Sequence, residues 1–116
     1  MTRNVDERLQ DILDGIARAR VADDRLVLAA SEGDPDGEQM AFDSILHNLF
    51  VIGEAVKALP PELLDQEPDM PWSAIASMRD VIGHHYHRIV PEVIHATIRN
   101  DLSPLEVVVV KLLDSQ

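Results

Sequence analysis

Three observations predict an all-α domain, an antiparallel bundle of four to five helices. Apolar residues make up 46% of the 116-residue chain and aromatics only 3%, so the core must be built from Leu, Ile, Val and Ala. The apolar positions recur at helical spacing through several long segments. Each segment is bounded by cap residues, Gly or Pro. The length suits one domain spanning residues 1–116, large enough for a single core and too small for two.

The first helix is predicted from Asn4 to Ala30, with Asn4 and Glu7 as a reciprocal cap and Leu9, Ile12, Leu13, Ile16 and Val27 on its inner stripe. Ser31 to Gly37 breaks it, and Asp36 with Gln39 reads as the next cap, opening a helix over 38–59. Ile45, Leu49, Ile52 and Val56 face its core side. Leu46, Phe50 and Gly53 widen that apolar arc, so a second packing partner is expected, within the fold or across a dimer. Pro60 and Pro61 end the helix, and the prolines through Pro71 predict a stiff, extended link. A third helix starts at Pro71 and a fourth runs over 92–99 after Val90-Pro91. Ser103, Pro104 and Glu106 read as N-cap, first residue and capping-box partner of a fifth helix over 105–113. Its run Val107 to Val110 favours strand by propensity, but the cap before it and the lack of a strand partner favour helix.

The chain has no Cys, which excludes disulfides and thiolate metal sites. The acidic start, Met1 to Glu7, lacks the apolar core of a signal peptide, and no later run is long enough to span a bilayer. A cytoplasmic protein is expected. The formal charge of −11 argues against general affinity for polyanions, including DNA, because such binding rests on many Lys and Arg contacts to phosphates. Residues 79–99 are the exception. They hold Arg79, Arg88 and Arg99 against Asp80 and Glu92, with four of the five histidines, and form the expected anion-facing surface.

Within that segment Arg79-Asp-Val-Ile-Gly-His84-His85-Tyr86 concentrates the chemistry. Arginine offers a fixed charge and a planar fork of donors to a phosphate, and histidine can take and give a proton near neutrality. Arg79 falls on the apolar stripe of the third helix with Trp72, Ile75, Ala76, Gly83 and Tyr86, so it needs a partner. His84 lies roughly 140° around an ideal helix from it. Both reach one phosphate only through Arg79's long stem, a loosened helix near Gly83, or a second subunit, and the last is favoured. A purely structural reading pairs Arg79 with a carboxylate such as Glu54 and leaves the histidines at a solvated helix end, where cations suit the dipole. A metal reading joins His84, His85 and His87 to Glu92 or His95, but no second spaced pair completes a site. Tyr86 alone reads as a packing residue, and His47 as a surface or satisfied core histidine.

These residues resemble the HepT-like branch of the HEPN superfamily, whose signature is Arg, a polar residue, three others, His, one residue and Tyr. Arg79, Asp80, His84 and Tyr86 fill it, although Asp80 stands where Asn is usual and His85 where an acidic residue is common. Leu49-Phe50-Val51-Ile52-Gly53-Glu54-Ala55 and Met70-Pro71-Trp72 extend the similarity over nearly the whole chain. The resemblance implies a homodimeric, metal-independent endoribonuclease needing no cofactor, the toxin of a type VII pair whose antitoxin is a nucleotidyltransferase of the MntA type. It further implies Arg79 and His84 as catalytic residues, Asp80 and Glu54 in support, and Tyr86 as the acceptor of AMP. The competing expectation is a non-catalytic helical dimer that binds a nucleotidyltransferase or nucleotide.

Overall fold

The computed structural model describes residues 3–116; Met1 and Thr2, read above as part of the acidic start, lie outside the described residues. The chain forms α1 (Val5–Ser31), α2 (Pro35–Lys57), a single turn α3 (Pro61–Leu64), α4 (Trp72–His85), a 3-10 turn (Tyr86–Arg88), α5 (Pro91–Asn100) and α6 (Leu102–Asp114). No strand occurs among the described residues, and no helix there is long and apolar enough to cross a membrane. The expected all-α architecture is present, with one short helix more than the four to five expected. α1 and α2 form the central hairpin; α4 packs on α2, while α5 and α6 pack on α1.

α1 begins as its sequence dictates. Asn4 accepts from Glu7 N at 2.8 Å while Glu7 accepts from Asn4 N at 3.1 Å, satisfying two otherwise unpaired donors. It ends at Gly33, whose φ of 65° is open to glycine at no steric cost. There Gly33 N reaches Ala30 O at 3.2 Å and Asp34 N reaches Ala29 O at 2.9 Å, the paired bonds of a Schellman ending. The inner stripe runs Leu9, Ile12, Ile16, Ala19, Ala22 and Ala29, all buried. Val27, expected on that stripe, is exposed, because the buried face passes through Leu26 and Ala29 and Val27 stands a step off it.

α2 starts earlier than expected. Asp34, not Asp36, accepts from Gly37 N at 3.0 Å, and Pro35 takes the first turn, where its missing N–H costs nothing. Ile45, Leu49, Ile52 and Val56 are buried as expected, and so are Leu46 and Gly53. The second partner that this broad arc requires lies within the fold, since both α1 and α4 pack on α2. After Pro60 the expected extended link instead coils through α3, with Leu63 buried, because Pro61 suits a first helical position. Pro71 precedes α4 rather than opening it.

The largest departure is at α6. Its helix begins at Leu102, so Ser103 and Pro104 lie inside the first turn and the expected Ser103–Glu106 cap does not form. Both side chains turn to α1 instead: Arg20 donates to Ser103 Oγ at 2.9 Å and pairs with Glu106 at 3.0 Å. The valine run is helical, with Val109 buried and Val107 exposed.

α5 is pinned by a buried carboxylate. Asp23 of α1, 2% exposed, lies 2.7 Å from His95 Nδ1 and 3.6 Å from Arg99 Nε, one turn apart on α5. The His95 contact is a hydrogen bond to a carboxylate, which contributes more than a neutral one, and Arg99 adds an ion pair. Asp23→Ala is expected to cost about 1–3 kcal/mol, read as a lower urea midpoint at unchanged slope. An unchanged midpoint would mean that Ile94 and Ile98 alone seat α5.

Candidate functional site

α4 carries the octet, and three features fix where α4 sits. Trp72 at its start is buried and its Nε1 donates to Leu64 O at 3.1 Å and Glu67 O at 3.0 Å, tying the helix to the preceding turn. At mid-length α4 crosses α2 at Gly53, where an added Cβ would stand 2.9 Å from Arg79 N and 3.2 Å from Ile75 O. Only a glycine permits that approach. Ile82, also buried, holds the far end.

The crossing puts Arg79 beside Glu54, the residue after that glycine. Glu54 Oε1 forms an ion pair with Arg79 Nε, and Arg79 Nη1 donates to Asp80 Oδ1 at 3.0 Å. The guanidinium carbon lies 5.7 Å from the centre of the Phe50 ring, within cation–π range. Arg79, Asp80 and Glu54 are therefore together, and the cation on the apolar stripe has the carboxylate partner it needed. Its side chain remains 39% exposed, so an arriving phosphate meets a guanidinium that is oriented but shared with two acidic groups.

His84 is not at this cluster within one chain. α4 runs unbroken through Gly83 to His85, so no loosening there swings His84 towards Arg79, and the difference in bearing expected from the helical wheel stands. His84, His85, His87 and Arg88 are all exposed. Helical geometry ends at His85, and a 3-10 turn carries Tyr86 to Arg88. His95 faces Asp23 rather than the other histidines, and among the described residues no group of three or more His, Asp or Glu has the arrangement of a metal site. His47 lies at the surface.

Tyr86 has a partner that the sequence did not suggest. Its hydroxyl donates to Asp43 Oδ1 on α2, and its ring meets His87 edge-on at 5.4 Å. Asp43 and Glu54 are eleven residues apart, or roughly 16 Å along α2, so Arg79 and Tyr86 are tied to that helix three turns apart and α4 runs antiparallel to it. Between α4, the 3-10 turn and α5 lies a largely apolar cleft of about 400 Å³, with His85 and Arg88 on its border and Val81, Ile82 and Ile94 in its wall.

The hydrogen bond to Asp43, then partial desolvation and the carboxylate's charge, raise the pKa of the Tyr86 phenol. Because the chain has one tyrosine, its absorbance titration is expected to lie above the ordinary phenol range and to fall back in Asp43→Asn. A raised folded-state value favours the fold while the phenol is protonated, and that contribution disappears as pH climbs through it. A titration that matches free tyrosine would show the contact is not made in solution.

A helical domain with arginine set at the crossing of two long helices and histidine and tyrosine following on the same segment is the architecture of a HEPN-type protein. The chain belongs to the HepT-like family: the family described as Ribonuclease HepT-like matches residues 7–112. Among known proteins, it is 33% identical to "Putative RNase MJ0127" of Methanocaldococcus jannaschii, over 57% of this chain and 58% of that one. It is 36% identical to "Putative RNase TTE0752" of Caldanaerobacter subterraneus over 63% and 65%, and 32% identical to "Probable ribonuclease HepT" of Thermococcus cleftensis over 54% and 57%. The similarity thus spans less than two thirds of each relative's length. No solved structure matches the chain.

Proposed function

We propose that the chain is a metal-independent endoribonuclease that acts as a homodimer, with Arg79 and His84 as its catalytic residues. The observation that carries this reading is family membership over residues 7–112, in a chain that holds Arg79 oriented at the α2–α4 crossing. In this chemistry the ribose 2′-hydroxyl attacks the adjacent phosphorus, His84 moves the proton, and Arg79 stabilises charge on the phosphoryl oxygens. Glu54 and Asp80 aim the guanidinium. Because α4 points Arg79 and His84 in different directions and Arg79 is tied to Glu54 and Asp80, one phosphate meets both where α4 of a second copy faces the first. The overall charge of −11 confines RNA contact to this basic segment.

The same reading makes the chain the toxin of a cytoplasmic toxin–antitoxin pair, silenced when a nucleotidyltransferase of the MntA type transfers AMP to Tyr86. The added phosphate brings negative charge to the basic segment and repels RNA there. A second reading, a non-catalytic dimer that binds the nucleotidyltransferase or nucleotide, is favoured by one observation: both acidic neighbours of Arg79 are already paired with it.

The two separate in one assay. With chelator present, the parent is expected to cut RNA to fragments ending in a 2′,3′-cyclic phosphate and to leave DNA of the same sequence intact. RNA left whole by the parent, with retained binding to the nucleotidyltransferase, would favour the second reading.

A further inference from the structure

Tyr86 stands at the start of the 3-10 turn, 38% exposed, with its hydroxyl proton directed at a carboxylate from another helix. Asp43 is itself held in place, since Gln39, one turn earlier on α2, donates to the same Oδ1 at 2.9 Å. The edge-on His87 ring limits how the phenol can tilt. An accessible hydroxyl bonded to a fixed base is the arrangement of an activated nucleophile. From this geometry we propose that Asp43 is the proton acceptor that makes Tyr86 a nucleophile towards the α-phosphorus of a nucleoside triphosphate.

The assignment rests on the reading of Tyr86 as a nucleotidyl acceptor and supplies the group that reading lacks. As Tyr86 Oη bonds to the α-phosphorus, the bond from that phosphorus to the bridging oxygen breaks and pyrophosphate leaves with the electron pair. The phenolic proton passes to Asp43, and nothing is oxidised or reduced. The same carboxylate keeps the resting phenol protonated, so phenolate is scarce at neutral pH. Reaction then requires a base that accepts the proton while the new bond forms. Asp43 is in position to do so without rearrangement.

Two measurements test this separately from the toxin–antitoxin reading. An adenosine bearing an aryl sulfonyl fluoride captures nucleophilic phenols with no partner protein. Tyr86 of the parent is expected to react at least about tenfold faster than that of Asp43→Asn at pH 7, with Asp43→Glu partly restored. The parent and Asp43→Asn rates should converge at high pH, where hydroxide removes the proton. The asparagine retains an acceptor oxygen, so a contact with no role in proton removal would leave the rate at pH 7 equal to the parent's, or raise it as the phenol pKa falls back, and that result would overturn the role of Asp43. In the second measurement, ATP and a nucleotidyltransferase of the MntA type are added, and intact mass reads AMP transfer. Transfer to the parent that is slowed in Asp43→Asn supports the assignment. A parent that reacts with the sulfonyl fluoride but never takes AMP would overturn the nucleotidyl reading while leaving Asp43 as the base.

Discussion

His84→Ala is expected to lower RNA cleavage about 10²–10⁴-fold, and Arg79→Ala about 10²–10³-fold, with both variants still folded. His84 is exposed, so its truncation removes a proton carrier and little packing. Arg79 leaves Glu54 and Asp80 without their cation, but both carboxylates are reachable by water, which limits the structural cost. The informative experiment mixes the two inactive variants. If one phosphate is served by Arg79 of one protomer and His84 of the other, each mixed dimer rebuilds one complete set. Random exchange of equal amounts then restores up to about a quarter of the parent rate. If both groups come from one chain, the mixture stays as inactive as its parts. Cleavage by both single variants at the parent rate would remove the nuclease assignment altogether.

Two glycines give the second large effect, with opposite signs. At Gly53 the atoms facing a new Cβ are Arg79 N at 2.9 Å, Ile75 O at 3.2 Å and Ala76 O at 3.3 Å. All three belong to the backbone of α4, so no rotamer change relieves the clash and α4 must lift from α2. Gly53→Val is expected to cost about 1–3 kcal/mol or more, a fall in Tm of roughly 4–12 °C for a domain of this size. It also shifts Arg79 away from Glu54, so cleavage falls with stability. Gly83 has nothing within 4 Å of an added Cβ, and Gly83→Ala should stabilise by about 0.5–1 kcal/mol through helix propensity. Equal thermal shifts in the two variants would mean that the α2–α4 contact is looser than described.

How much of this was legible depended on whether a residue's role was local. Asn4 and Glu7 cap the helix that they adjoin, and periodic Ile and Leu define the inner face of α2, so both could be read directly. Ser103 and Glu106 carry the same local signature as Asn4 and Glu7, yet Arg20, more than eighty positions away, takes them both. A cap signal loses when a distant cation competes for its oxygens. Asp34 displaced Asp36 because Pro35 could begin the helix one turn earlier. At the site, the pairing of Arg79 with Glu54 was foreseeable, since a cation on an apolar stripe requires an acid on the facing helix. Asp43 was not: nothing near it in sequence distinguishes it from the other surface carboxylates, and only the antiparallel path of α4 brings Tyr86 to it. Asp23 was hidden likewise, as a buried acid has no sequence signature apart from the basic residues that meet it.

The indole that fastens α4 to the preceding turn has a practical use. It is the chain's single tryptophan, and its shielded ring and two carbonyl partners give the protein a built-in optical gauge at the foot of the segment bearing Arg79. Emission that shifts to longer wavelength before far-ultraviolet ellipticity declines would report this helix detaching while the α1–α2 hairpin persists. The same signal could be followed during subunit exchange or RNA addition with no dye attached.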